Sequence, residues 1–281
     1  MLLNNRIIFE DDTTLLDKSI DLSTIISTSV TLNMVAVDDY LYLGSDLPFN
    51  HRYFEMATVN TSSSVISVEI LDGNAWVDAV DVLDQTIGVA GKTLSQSGII
   101  SWSLARNTSW GKEDTTEDIP ALASLKIYNM YWARMKVSAS LLSSTSVKYV
   151  GHKFANDEDM FIYYPDLATS QMLTSHTAGK TTWNSQHIMA AEEIILKLRK
   201  DRKVVSSNQV FDWTAFNLAA IHKCAEIAFR AFGADYKEAQ DAAKTDYYKA
   251  YSGIDFAFDQ NADGELDFDT EVITSAGLFR T

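Results

Sequence analysis

Apolar residues recur at two different spacings along this chain, and the change of spacing constrains the fold more than any other feature. From about residue 28 to residue 150, short runs rich in Val, Ile and aromatic residues are separated by Gly, Asp, Asn and Ser, which is typical of antiparallel strands. After residue 184, apolar residues recur three or four positions apart, as on one face of a helix. The sequence therefore predicts an α+β fold, in which an N-terminal antiparallel β-sandwich or barrel domain is followed by a small C-terminal α-helical bundle.

The same pattern predicts three regions. We expect residues 1–152 to form a β-sandwich-like domain and residues 185–281 to form a helical domain with an acidic C-terminal loop. Between them, residues 153–184 lose the periodicity and are predicted to form a linker or extended arm.

Two segments of the β domain carry the clearest strand signals. Asp72-Gly73-Asn74 is a tight-turn sequence between two alternating runs and predicts a hairpin. Residues 131–139 alternate in polarity, so Trp132, Arg134 and Lys136 are predicted to share one face of a strand.

Three apolar stripes predict three successive helices in the C-terminal domain, with Asp212 as an N-cap and Gly233 as a left-handed C-terminal cap. The stripes are Ile188, Ala191, Ile195 and Leu198; Trp213, Phe216, Ala220, Ile227 and Ala231; and Tyr236, Ala239, Ala243, Tyr247 and Ala250. Three helices with one stripe each make a marginal core. We therefore expect either the β domain or neighbouring subunits to cover them, and the second option predicts a homo-oligomer.

Charge and cysteine content exclude several classes of protein. A formal net charge of −15 disfavours binding to free duplex nucleic acid, which requires clustered Lys and Arg. The single cysteine, Cys224, excludes an intramolecular disulfide framework. Residues 1–10 lack the pattern of a signal peptide, and no apolar window approaches the length of a membrane span, so we expect neither export nor a membrane partner.

The acidic loop near the C-terminus resembles the first nine positions of a calcium-binding EF-hand loop. Its candidate ligands for calcium are Asp259, Asn261, Asp263, Glu265 and Asp267. The twelfth position, where a bidentate Glu normally closes the coordination shell, is Thr270, and Glu271 follows one residue late. Two interpretations remain open: a bound calcium ion that stabilises the turn, or an Asp/Asn/Gly turn that needs no ion.

A basic run ends the first predicted helix, and aromatic residues are frequent in the β domain. The run comprises Lys197, Arg199, Lys200, Arg202 and Lys203. It complements the helix dipole on a solvated face, or alternatively contacts an acidic neighbour or DNA. The aromatic residues are expected to pack in the core, with Trp110 the best candidate for an exposed one that binds a sugar.

No catalytic arrangement is apparent, so we predict that the chain is not an enzyme. The sequence has no nucleophile elbow and no phosphate-binding Gly loop. Cys224 lies beside the apolar face of the second predicted helix, where a buried inert thiol is expected. The five histidines are scattered, with no pair at helical metal-ligand spacing: His51, His152, His176, His187 and His222.

Two parts of the sequence resemble structural proteins of tailed bacteriophages. DDYLYLG at 38–44, PFNH at 48–51, VEILDGNAW at 68–76 and LSQSG at 94–98 resemble a β domain that recurs in these proteins. AAIHKCAEI at 219–227, with the Ala-rich helix after it, resembles phage head-to-tail connector, or neck adaptor, proteins. The β domain is a departure, because a minimal adaptor lacks it.

The resemblance implies a structural virion protein, a subunit of a homo-oligomeric ring, commonly a dodecamer, between portal and tail. The implied partners are other copies, the portal protein and other tail or neck proteins, with transient passage of DNA through the lumen. The implied location is the neck or tail of a virion that is assembled in the host cytoplasm. The alternative is a tail, baseplate or fibre-attachment protein whose β domain binds a partner or a glycan. A calcium-stabilised enzyme or carbohydrate-binding module is a third hypothesis.

Overall fold

The computed structural model describes residues 5–25, 28–36, 38–73, 75–88, 90–104, 110–113, 122, 129–201, 203–259 and 272–273. These residues divide into two compact units. The β unit comprises the described residues up to Gly151 together with Asp259, and the helical unit comprises residues 152–258 and 272–273. The predicted α+β fold is confirmed, with antiparallel sheets followed by helices.

The described part of the β unit contains eleven strands and one short helix, α1 (Ser19–Ser23). The strands are β1 (Asn5–Asp11), β2 (Thr14–Asp17), β3 (Val30–Thr31), β4 (Tyr40–Ser45), β5 (His51–Thr58), β6 (Ile66–Asp72), β7 (Ala75–Asp78), β8 (Val80–Asp84), β9 (Gly98–Ser103), β10 (Tyr131–Val137) and β11 (Ser146–Gly151). They form a six-stranded sheet in the order β2-β1-β4-β10-β6-β7 and a five-stranded sheet in the order β3-β11-β5-β9-β8. Because the two sheets are separate, the β unit is a sandwich and not a closed barrel.

One apolar core lies between the two sheets. Alternate residues of β10, such as Ala133 and Met135, enter this core from the six-stranded sheet, and Phe54 and Ile100 enter it from the five-stranded sheet. The period-2 alternation of β10 explains this placement, because every second side chain points to the same face. The predicted hairpin is also present: Asp72 of β6 pairs with Ala75 of β7, and Gly73 in the turn has φ +58°.

A second, smaller apolar cluster covers part of the opposite face of the six-stranded sheet. It contains Trp132 of β10, Tyr42 of β4 and Ile8 of β1. The Trp132 ring lies directly over Gly44, where an added Cβ would be 2.5 Å from the nearest ring atom. Glycine is therefore required at this position for the tryptophan to lie flat on the sheet.

The sequence pattern did not predict β1 and β2, which form a hairpin at the edge of the six-stranded sheet. The turn between them is made by Asp12 and Thr13, with φ of +44° and +68°. Such a turn normally carries Asn-Gly or Asp-Gly. A β-branched residue in the left-handed region gives no recognisable turn signal.

The helical unit contains five helices of one turn or more in the residues that the structure describes: α2 (Asp157–Tyr163), α3 (Ser170–His176), α4 (Asn184–Lys200), α5 (Asn217–Arg230) and α6 (Lys237–Ser252). Short 3-10 turns precede α3, α5 and α6. Two strands, β12 (Phe256–Ala257) and β13 (Val272–Ile273), form a small antiparallel ribbon.

Residues 153–184, predicted as a linker or extended arm, contain α2 and α3 and contribute to the helical core. Their caps are local: Asn156 accepts a hydrogen bond from the Asp159 N–H, and Thr169 accepts one from the Met172 N–H. Helices of 7 residues are too short to show a 3.6-residue period, which is why the pattern appeared to fade.

The apolar stripes of the three long helices are largely buried within the single chain. Every residue of α5 from Ala219 to Phe229 is buried, and α2, α4 and α6 all contact this helix. The predicted caps are present, since Asp212 accepts a hydrogen bond from the Ala215 N–H and Gly233 has φ +70°. The expectation that these stripes need a neighbouring subunit to cover them therefore loses its physical basis. Within the described residues, no helix is long and apolar enough to cross a membrane.

Candidate functional site

The outer face of the six-stranded sheet carries a cluster of aromatic and charged side chains around Arg134, which we call the Arg134 cluster. β10 places Arg134 opposite Tyr42 of β4 and Glu69 of β6. The guanidinium carbon lies 4.4 Å from the ring centroid of Tyr40 and 4.5 Å from that of Trp76, within the range of cation–π attraction. Its Nε donates a hydrogen bond to Glu69 Oε2 at 2.6 Å.

Glu69 joins two cations of β10. Lys136 Nζ lies 2.8 Å from Glu69 Oε1, while Arg134 holds the other carboxylate oxygen. Burial alone would raise the pKa of Glu69, but the hydrogen bonds from Arg134 and Lys136 outweigh it and hold the pKa below its ordinary value. The carboxylate is therefore ionised and fixes the arginine between the two rings.

Alternation of polarity along β10 predicted that Trp132, Arg134 and Lys136 share a face, and the structure agrees. The partner Glu69 could not be predicted, because it comes from a strand more than sixty residues earlier. The half-buried rings of Tyr40 and Trp76 next to a guanidinium fork provide apolar area and directed hydrogen-bond donors together. This combination suits recognition of a polar ligand or of a protein surface.

Trp110, predicted as the exposed sugar-binding tryptophan, is buried, with 5% of its surface exposed. Its Nε1 donates to the Trp132 carbonyl at 3.2 Å, and its ring packs against Phe49 and Tyr131. The indole is buried because its N–H has an acceptor inside the sheet. The prediction for Trp110 is therefore wrong, and Trp76 is the tryptophan that borders the Arg134 cluster.

The basic run at the end of α4 is partly used inside the helical unit. Lys197 Nζ pairs with Asp201 at 2.7 Å and lies 4.7 Å from the ring centroid of Tyr251. Arg199 and Lys200 are exposed. Arg202 lies outside the described residues, and Lys203 is half-buried.

A second set of charges links α4, α5 and α6. Lys223 of α5 pairs with Glu193 of α4 at 2.6 Å and with Glu226 at 2.8 Å, and Arg230 pairs with the other oxygen of Glu226. Lys223 Nζ also lies 5.1 Å from the ring centroid of Tyr247 on α6. These pairs explain why a helix as buried as α5 tolerates Lys and Glu.

A buried His–Asp pair lies in the helical core. His187 Nε2 is 3.1 Å from Asp157 Oδ1, and the Trp183 backbone N–H also donates to this carboxylate. Burial lowers the pKa of His187 although Asp157 opposes the shift, so the imidazole is neutral near pH 7. His187 Nδ1 has no hydrogen-bond partner among the described residues.

Cys224 is fully buried on α5. Burial raises the pKa of its thiol well above the ordinary value, and the nearby Asp157 carboxylate adds to the shift. A protonated, inaccessible thiol is a poor nucleophile, as the sequence predicted.

Of the five residues predicted to bind calcium, the structure describes only Asp259, which is buried. Asn261, Asp263, Glu265 and Asp267 lie outside the described residues, as do Thr270 and Glu271. Within the part of the chain that is described, no three or more His, Cys, Asp or Glu side chains converge as metal ligands do. Calcium binding stays a prediction, which calorimetric titration of the protein with calcium tests.

Comparisons of the chain with protein-family models, curated proteins and solved structures gave no match.

Proposed function

We propose that this chain is a structural protein of a tailed-bacteriophage virion, a head-to-tail adaptor whose copies form a ring between portal and tail. The sequence resemblance of both units to phage structural proteins supports the proposal.

The observation that carries the proposal is a pair of exposed apolar side chains on the solvent side of α4, which we call the α4 stripe. Met189 and Leu196 are seven residues apart, so they share a face of the helix, and they are 43% and 64% exposed. Val205, just beyond the helix, is 75% exposed. Neither side chain of the pair belongs to the helical core, and Glu192 and Glu193 occupy the turn between them, so the surface mixes apolar and charged groups as the rims of protein interfaces do.

Arg199 and Lys200 continue the α4 stripe at its C-terminal end. Apolar side chains with Arg at the margin are a common composition of protein interfaces. The α4 stripe replaces the buried helix stripes as the physical reason to expect assembly.

Electron microscopy of the assembled particle tests the proposal directly. We expect a ring of this protein at the neck, and we expect Met189→Glu with Leu196→Glu to remove it, because two carboxylates would have to be buried in the contact. Ile20→Glu is the matched control, since Ile20 is 73% exposed in the β unit and should not affect the ring. A particle that lacks this protein at the neck, or a neck ring that retains the double variant, contradicts the proposal.

A second candidate function, a tail, baseplate or fibre-attachment protein, is favoured by the Arg134 cluster. The half-buried Trp76 ring and the Arg134–Glu69 pair provide the stacking and hydrogen-bonding groups that bind sugars or a partner's loop. Glycan-array binding that Trp76→Ala abolishes, and that Leu83→Ala on the exposed strand β8 leaves unchanged, would favour this function. An array without binding would count against the glycan form of it.

A further inference from the structure

The two ends of the helical unit differ in chemistry. At one end, the Trp183 ring before α4 lies 6.5 Å from the Phe232 ring after α5. At the other end, the Tyr251 hydroxyl of α6 donates to Asp201, just after α4, at 3.3 Å. α4 spans the distance between the two ends with 17 residues, or about 25 Å at a rise of about 1.5 Å per residue.

The end that contains the C-terminus of α4 presents two exposed cations. Arg199 and Lys200 are exposed there, and neither forms an ion pair with another residue that the structure describes. Lys197 beside them is already held by Asp201. Two cations are therefore available for an external partner.

The opposite end carries a cleft of ≈ 380 Å³ between α3 and the connection from α5 to α6. Its wall is formed by the rings of Phe232 and Tyr236, whose centroids are 5.2 Å apart, and Met172 also lines it. Asp166 is also among the residues that line the cleft. None of the side chains that line this cleft is basic.

Carboxylates and aromatic rings together suit a cation. Asp166 lines the cleft, and Asp235, which precedes Tyr236 in sequence, lines the neighbouring groove; both are exposed, and no ion pair joins either to another described residue. A guanidinium or ammonium group in the cleft would gain attraction from the ring faces and from these carboxylates.

We propose that this cleft receives the side chains of Arg199 and Lys200 from a second copy of the chain. The inference rests on the proposed function, self-assembly of the helical unit, and names the two surfaces that meet. A second copy is the occupant because the same unit carries the complementary cations at its far end. A contact between unlike ends is heterologous, so it closes into a ring when the rotation per subunit allows and otherwise extends as a filament.

Sedimentation velocity of the full chain tests this contact. The basic-end variant carries Arg199→Glu and Lys200→Glu, and the cleft variant carries Asp166→Lys and Asp235→Lys. We expect each to associate at least about tenfold more weakly than the wild type, because like charges then meet across the contact. Lys244→Glu is the control and should leave association unchanged, since Lys244 is exposed in the middle of α6 and no ion pair joins it to another residue that the structure describes.

Mixing the variants separates this contact from general charge effects. In an equimolar mixture, the intact cleft of one variant meets the intact basic end of the other, and the two reversed surfaces are also complementary, so the variants should recover association with each other. A chain with all four substitutions should recover association, because the reversed charges are again complementary. Association of the wild type should weaken with rising salt, as screening predicts.

A wild type that stays monomeric, end variants that associate normally, or a mixture that stays monomeric would each overturn the inference. The proposed function fails differently. If the end variants still form a neck ring, the cleft contact is refuted and the adaptor function is retained. If the wild type self-associates through the cleft but is absent from the neck, the adaptor function is refuted and the cleft contact is retained.

Discussion

His51 in the β unit and His187 in the helical unit are both buried, but only His187 has a carboxylate as its hydrogen-bond partner. His51 shares a hydrogen bond with Asn50 Oδ1 at 2.8 Å, and burial, with the adjacent Arg52 cation, lowers its pKa to about 3. His187 lies 3.1 Å from the Asp157 carboxylate, which opposes the lowering of its pKa by burial. Lys153 adds to that lowering and Asp159 opposes it.

The difference shows how each unit satisfies polar groups inside its core. In the β unit, the ring of Phe49 lies 3.8 Å from the Arg52 guanidinium carbon, and Arg52 donates to the His51 carbonyl at 2.7 Å. In the helical unit, one carboxylate serves both an imidazole and a backbone N–H that precedes a helix. The Asp157 carboxylate is therefore a shared hydrogen-bond acceptor for His187 and Trp183, whereas His51 and Arg52 each have a different hydrogen-bond partner.

Removal of Asp157 should have the largest effect on the helical unit. Asp157→Ala leaves the His187 N–H and the Trp183 N–H without their acceptor, and we expect a loss of about 3 kcal/mol of unfolding free energy. Asp157→Asn retains an acceptor oxygen and should cost less than half as much. Urea denaturation measures both, and equal losses for the two variants would show that a neutral acceptor oxygen cannot replace the carboxylate.

Acid should destabilise the β unit more than the helical unit. The folded-state pKa of His51 is about 3 against 6.5 for the unfolded chain, so the folded state binds fewer protons and stability is lost as pH falls below about 6.5. Between pH 6.5 and pH 5 this amounts to about 2 kcal/mol, at about 1.4 kcal/mol per pH unit. His187 loses stability in the same direction, and Asp157, which can pair with the imidazolium, opposes that loss.

Hydrogen exchange at pH 7 and pH 5 distinguishes the two units. Protection of β5 should fall more steeply with acid than protection of α4, and His51→Gln should flatten the response of β5. A steeper response in α4 would mean that the Asp157 carboxylate does not stabilise the charged ring of His187.

Local and alternating features of the fold could be predicted from sequence, and long-range pairings could not. The turn at Gly73, the cap at Asp212 and the alternation of β10 each depend on residues close in the chain. The hairpin at Asp12 and Thr13 violates the usual turn chemistry, and α2 and α3 are shorter than the window that periodicity requires.

In the candidate sites, too, local features could be predicted from sequence and long-range contacts could not. Arg134 and Lys136 could be placed on a common face, but Glu69 reaches them only through the pairing of β6 with β10. Burial of Trp110 could not be predicted, because the Trp132 carbonyl that accepts its hydrogen bond lies more than twenty residues later in the chain. The cleft at Phe232 combines residues from α3 and the α5–α6 connection, which no local pattern links.

Substitution of Arg134 tests whether the β unit loses less unfolding free energy than the helical unit when one partner of an ion pair is removed. Arg134→Ala leaves Glu69 with Lys136 as its remaining cation, so we expect a loss of about 1–2 kcal/mol, smaller than that of Asp157→Ala. Arg134→Lys keeps the charge and should recover part of the loss, but it cannot reproduce the planar group between Tyr40 and Trp76. Urea denaturation measures both variants. A loss as large as that of Asp157→Ala would remove the contrast between the units.

The smallest effect is expected at Asp212, whose side chain caps the turn before α5. Asp212 Oδ1 accepts hydrogen bonds from the Ala215 N–H at 3.3 Å and the Thr214 hydroxyl at 2.6 Å. Asp212→Ala should therefore cost about 1 kcal/mol of unfolding free energy, while Asp212→Asn or Asp212→Ser should restore most of it. Because this cap is local, its loss should reduce hydrogen-exchange protection at the start of α5 and leave His187 and the end of the helix protected. Loss of protection across the whole helical unit would show instead that the cap, like Asp157, supports the entire core.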